Sequence, residues 1–161
     1  MTQATDLINS GFDLDSLLNS AAATSRVGVA FNDDGEATSG FVIVGKDSDA
    51  YRACEQRQQN AGIKRGATKS QRIDGKTDEG AATIGRLMAS NVSELAFAVV
   101  VDWFGFNKAG EPVAFTADGL RSVFESRPTW RDKVLAALEN EDNFLPKSSP
   151  TSATSPDSSS V

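Results

Sequence analysis

From residue 25 to 45 apolar and polar positions alternate: Val27, Val29 and Phe31 share one parity, "NDDG" interrupts, and Phe41 to Val44 resumes the pattern. A period of two puts these side chains on one face of an extended chain, and the interruption supplies turn chemistry, so the stretch predicts a β-hairpin. Two strands alone are marginal in water. The hairpin must therefore lean on helices or complete a sheet elsewhere, and pairing between subunits, giving a homo-oligomer, is one way to do so.

Beyond residue 46 the period changes. "DSDAYRACEQRQQNAG" begins with the N-cap types Asp47, Ser48 and Asp49 and continues with helix formers, predicting a helix over 47–62. Its apolar stripe of Tyr51, Cys54 and Ala61 is thin, so most of it should face water or a polar partner. From 78 to 101, Ile84, Leu87, Met88, Val92, Leu95 and Val99 recur at steps of three and four, the spacing of a main helix with a core face. Its end, "LAFAVVVDW", is apolar nearly all round and should be enclosed.

"NKAG" then supplies a turn and Pro112 blocks helix continuation. A helix over 116–126 presents Leu120, Val123 and Phe124, and another over 129–140 presents Trp130, Val134, Leu135 and Leu138, together forming a helical hairpin. Thr129 and Asp132 stand at capping-box spacing, with Asp in place of the usual Glu or Gln.

The expected fold class is α+β, mostly α: an N-terminal β-hairpin followed by a small helical domain of four to five helices, with 25–145 as a single globular domain. Residues 1–24 form an amphipathic segment carrying Phe12, Leu14, Leu17 and Leu18. Residues 146–161 are a Ser, Thr and Pro tract too poor in apolar residues to offset ordering entropy, and are expected to be disordered.

Composition narrows the chemistry. With 161 residues the chain suits one modest core, and a formal net charge of -6 disfavours nonspecific attraction to nucleic acid or an anionic membrane. The one basic segment, "KRGATKSQRIDGK", holds Lys64, Arg65, Lys69, Arg72 and Lys76 among glycines and predicts a flexible connection or a docking strip for an acidic partner. It lacks the interleaved aromatics that stack on bases. A helix-turn-helix at "ESRPTW" is disfavoured, because Asp132, Glu139, Glu141 and Asp142 outweigh Arg131 and Lys133 on the would-be recognition helix.

Histidine is absent, which removes Ser-His-Asp and Cys-His catalysis and most zinc or iron sites. The single Cys54 cannot form an internal disulfide and reads as a small helix residue in a reducing cytoplasm. "NDDGE" has only part of a calcium loop and reads as the hairpin turn. The pairs Asp13 with Asp15 and Asp47 with Asp49 fall at helix starts, where capping accounts for them. No Walker lysine loop, dinucleotide fingerprint, secretory signal or membrane-length apolar run is present. The chain is therefore expected not to be an enzyme, with no catalytic residues, cofactor or metal, and with neither nucleic acid nor membrane as partner.

The stretch "DWFGF" belongs to an aromatic series whose members Trp103, Phe106, Phe115, Phe124 and Trp130 are the candidate partner-binding or core-corner residues. The series is larger than one corner of a small domain usually accommodates, so one or two members could serve as exposed interface anchors. On the binding reading, Trp103→Ala or Phe106→Ala weakens partner binding and leaves the fold intact. A variant that unfolds indicates the core.

The order of features, "FVIVGKDSDAYRACEQR", a basic connection, a helix running into "VVVDWFGF", then "GEPVAFTADGLRSVF", "TWRDKVLAAL" and "ENEDNFL", resembles the tail assembly chaperones of long-tailed bacteriophages over about residues 38 to 145. The chain departs from that pattern at Gly119, where a better helix former is usual, and in its additional N-terminal 35 or so residues. The resemblance implies a non-enzymatic protein in the cytoplasm of the infected bacterial host. Such a protein binds the tape measure protein and helps recruit tail tube protein during tail morphogenesis. A minor tail protein retained in the virion and a small acidic inhibitor of a host protein are the alternatives.

Overall fold

The computed structural model describes residues 23–145. The expectations for the N-terminal segment before residue 23 and for the 146–161 tail lie outside the described residues.

The hairpin forms where it is predicted but without clean alternation: the register shifts between Gly28 and Ala30 and again before Phe31, so Phe31, expected on the face of Val27 and Val29, is 55% exposed. Strands β1 (Thr24–Phe31) and β2 (Ala37–Val44) pair antiparallel, with Thr24 opposite Val44 and Val27 opposite Phe41. The turn is closed by Asn32, whose backbone oxygen accepts from the Gly35 amide at 3.0 Å and whose Oδ1 accepts from the Glu36 amide at 2.8 Å. That use of the Asn32 side chain is a turn's own hydrogen bonding.

The sheet is completed within the chain. Residues 100–104, expected as the end of the long helix and its exit, are instead strand β3 (Val100–Phe104), antiparallel to β2 with Phe41 opposite Trp103 and Ile43 opposite Val100. The register shifts between Val42 and Ile43, so Val101 bulges: Val100 and Trp103 are buried while Val101 and Asp102 both face solvent. Inward residues three apart imitate helical spacing, which is why periodicity misplaced this strand. Consecutive β-branched valines, stiff at χ1, favour the extended state once a neighbouring strand is available.

Helix α1 (Asp49–Ala67) starts at Ser48, whose Oγ accepts from the Tyr51 amide at 3.3 Å and donates to the Gly45 oxygen at 2.7 Å. It runs past the expected stop at 62, taking Lys64 and Arg65 into its last turn, where cations complement the carbonyl end of the helix. The basic segment is thus partly helical, its remainder being a short 3-10 turn (Lys69–Gln71) and the approach to Thr77. Helix α2 (Asp78–Val99), capped by Thr77 accepting from the Gly80 amide at 3.1 Å, returns alongside α1.

A two-residue-stranded ribbon, β4 (Asn107–Lys108) with β5 (Glu111–Pro112), turns through Ala109 and Gly110, both at positive φ, and delivers the chain to α3 (Ala117–Ser126) and α4 (Pro128–Glu139). Thr129 does not cap α4. Pro128 occupies the first turn, Arg127 is the N-cap without a side-chain bond, and Asp132 bonds Arg131 instead of closing a capping box.

Helix α4 lies across β1 and β2 and buries Val134 and Leu138 against Phe41 and Ile43, while α3 adds Leu120 and Phe124 and the last turns of α2 add Ala96 and Val99. Among the described residues the architecture is α+β: a three-stranded antiparallel sheet in the order β1-β2-β3, with four α-helices.

Gly119 has a packing reason. The edge of the Trp103 indole lies against it, so a β-carbon there would stand 2.8 Å from Trp103 Cη2 and 2.8 Å from Thr116 Oγ1. Alanine would gain up to about 1 kcal/mol of helix propensity. The buried indole cannot retreat without repacking the core, which costs about 1–3 kcal/mol. Gly119→Ala is therefore expected to lower the urea midpoint, although the same change at exposed Gly62 or Gly85, with nothing within 4 Å, should raise it.

Candidate functional site

The five aromatic candidates come together around β3. The Trp103 ring meets Phe106 at 5.1 Å between centroids and Phe115 at 5.4 Å, nearly perpendicular at 86°. Phe106 continues to Trp130 at 5.9 Å, and Phe41 links the group to Phe124 at 5.2 Å and to Phe106 at 5.5 Å. Tilted and edge-to-face pairs of this kind add to simple area burial. Phe41 and Phe97, the latter 5.5 Å from Phe124, belong to the same network and were absent from the sequence-based set. Phe41's inward parity on the hairpin was the signal for it.

Trp103 and Phe124 are buried, whereas Phe106, Phe115 and Trp130 are half-buried against them. The Trp103 indole Nε1–H donates to the Val113 oxygen at 2.7 Å, tying β3 to the segment after the ribbon. Asp102, next to it in sequence, faces solvent and accepts from the Trp103 amide at 2.8 Å as a backbone partner. These rings spend their faces on one another, filling the corner between sheet, α3 and α4.

Groups suited to reaction chemistry are sparse. Among the described residues no cluster of three or more Cys, Asp or Glu side chains is placed to hold a metal ion, and no helix is long and apolar enough to cross a membrane. Cys54 is fully buried on α1, and burial pushes its thiol pKa up. A thiol held protonated and covered is a poor nucleophile. Cys54 is expected to react with a disulfide reagent at pH 8 only as fast as the fold opens, with the rate jumping to that of a free thiol in denaturant.

Part of the exposed apolar surface lies on the arm made by α1 and α2, at Ile63, Met88 and Val92, while Phe31, Val101, Val113 and Leu145 are exposed singly on other segments. The expected core face of α2 is buried only near its end: Val99 is covered, Ile84, Leu87 and Leu95 are half-buried, but Met88 is 64% and Val92 44% exposed. The physical reason is that α1 shields only one flank of the stripe. Beyond Cys54 only Gln58 and Arg65 of α1 lose substantial exposure, and the Gln58 amide holds the pair together by donating to the Asn91 oxygen at 2.8 Å. On the other flank Ala81, Gly85 and Ala89 are exposed, and a β-carbon on Gly85 would meet nothing within 4 Å. Small residues at steps of four leave a flat track into which another helix can settle closely.

The arm's far end is cationic. Lys64, Arg65, Lys69, Arg72 and Lys76 gather there, and none of them forms an ion pair among the described residues, where the pairs are Lys46 with Glu139, Arg52 with Asp47 and Arg131 with Asp132. Arg65, Gly66, Gln71, Arg72 and Ile73 line a shallow hollow of about 380 Å³ at this end, closed on one side by the Arg72 Nε–H donating to the Gly66 oxygen at 2.9 Å.

Comparison of the chain with protein-family models, with curated proteins and with solved structures finds no match.

Proposed function

We propose that this chain is a phage tail assembly chaperone that binds the tape measure protein and helps recruit tail tube subunits during tail morphogenesis. The observation that carries the reading is the uncovered apolar stripe on α2, with Met88 and Val92 in solvent on the outer part of the arm, away from the end of α2 whose Ala96, Phe97 and Val99 join the core. A long helical client exposes apolar stripes before assembly. Its chaperone must cover them with surface that can be given up again, and exposed side chains on a two-helix arm meet that need better than residues locked in a core. Each large side chain so covered contributes about 1.5–3 kcal/mol to the complex. The net charge of -6 supports solubility of the loaded complex. The ordered likeness of "VVVDWFGF", "GEPVAFTADGLRSVF" and "TWRDKVLAAL" to tail assembly chaperones supplies the identity of the client.

Co-expression with the tape measure protein of its own genome tests the proposal. The client is expected to become soluble and to co-purify, and mass spectrometry of finished particles is expected to find no copies of this chain. A client that still precipitates alone, or a fixed copy number in the virion, overturns it.

A further inference from the structure

We infer that the α2 stripe and the cationic end of the arm form one docking surface, and that its occupant is an acidic amphipathic helix. This rests on the chaperone reading for the identity of the client but not for the chemistry of the site. The two halves of the surface are physically continuous. The turn at Gly75 packs on the distal end of the stripe, close enough that a β-carbon there would stand 3.1 Å from Ile84 Cδ1, which places the backbone turn between Arg72 and Lys76 at the end of the apolar track.

Charge identifies the occupant. From 57 to 79 the chain carries Arg57, Lys64, Arg65, Lys69, Arg72 and Lys76 against three acids: Asp74, whose Oδ1 accepts from the Lys76 amide at 3.0 Å in its own turn, and Asp78 and Glu79 in the first turn of α2, so the excess at this end is still cationic. In a protein of net charge -6 this end is the exception, and its cations lack carboxylate partners among the described residues. A helix with an apolar stripe would cover Met88 and Val92, lie close over Gly85 and Ala89, and place its acidic flank on Arg72 and Lys76. Nucleic acid satisfies only the charge. Residues 55 to 94 contain no Phe, Tyr or Trp on which bases could stack, and a phosphate backbone would leave Met88 uncovered.

Two designed helical peptides probe the surface, one with leucines at heptad a and d positions and glutamates elsewhere, the other with lysines replacing the glutamates. Titrated into the full isotope-labelled chain, the glutamate peptide is expected to shift amide resonances of residues 64–92 and to bind at least about tenfold more tightly than the lysine peptide. Salt should narrow that gap. Met88→Asp and Gly85→Leu, both at exposed helix positions, are expected to keep the native spectrum and lose peptide binding. Equal binding of the two peptides, shifts confined to the Phe106 and Phe115 corner, or single-stranded DNA binding as tightly as the glutamate peptide would overturn the inference. So would a concentration-dependent mass abolished by Met88→Asp, since a second copy would then be the occupant. If the glutamate peptide binds but the tape measure protein does not, the functional reading falls and the site stands. If Met88→Asp still retains the tape measure protein, the site falls and the functional reading stands.

Discussion

Trp103→Ala is expected to destabilise the fold by about 3–5 kcal/mol, measured as a fall in the urea midpoint. The indole is 9% exposed, packs on Phe106, Phe115 and the Gly119 backbone, and donates from Nε1 to the Val113 oxygen at 2.7 Å. Alanine leaves a cavity and strips that carbonyl of its partner. Domains of this size hold about 5–15 kcal/mol in all, so the variant should sit near the edge of folding. The sequence alone left open whether Trp103→Ala would spare the fold and weaken partner binding, and the buried ring turns that expectation towards unfolding. Phe106→Ala, at a half-buried ring, should cost less. A Trp103→Ala protein within about 1 kcal/mol of the parent would show that the ring is spare surface.

Phe41→Ala should be comparably severe, again about 3–5 kcal/mol. Phe41 is fully buried on the central strand and touches Phe106, Phe124 and Trp130, with centroids 5.5, 5.2 and 6.4 Å away. It is the point where the sheet meets α3 and α4. Because Phe41 and Phe124 share contacts, the double variant should cost less than the sum of the singles, and strict additivity would mean that the rings do not act as one unit. Phe31→Ala on the same hairpin, at a ring 55% exposed, should change the midpoint little.

The contrast between Met88 and Val99 shows how far a pattern reaches. Both fall on the stripe that periodicity draws along α2, yet one is 64% exposed and the other fully buried. Periodicity reports which side chains share a face and is silent on what lies opposite. The aromatic series was legible as a group, and five named members do meet, but Phe41 joins them from a strand more than 60 residues earlier, through a pairing that sequence order does not display. The basic segment was legible as a cluster of cations, while the helical state of its first part and its position at the end of the apolar track were not.

By itself the sequence determined much of the local structure: the extent and Asn32 turn of the hairpin, the caps at Ser48 and Thr77, and the helices they begin. Each depends on residues within a few positions of one another, where propensity and short-range hydrogen bonds decide. Only the tertiary structure decided that Val100–Phe104 leaves the helix to complete the sheet, that Gly119 must be small to seat Trp103, and that the outer part of α2 is left uncovered. Strand pairing, close approach and burial are properties of two segments at once, and the free energy that selects them comes from surfaces brought together only when the chain has folded.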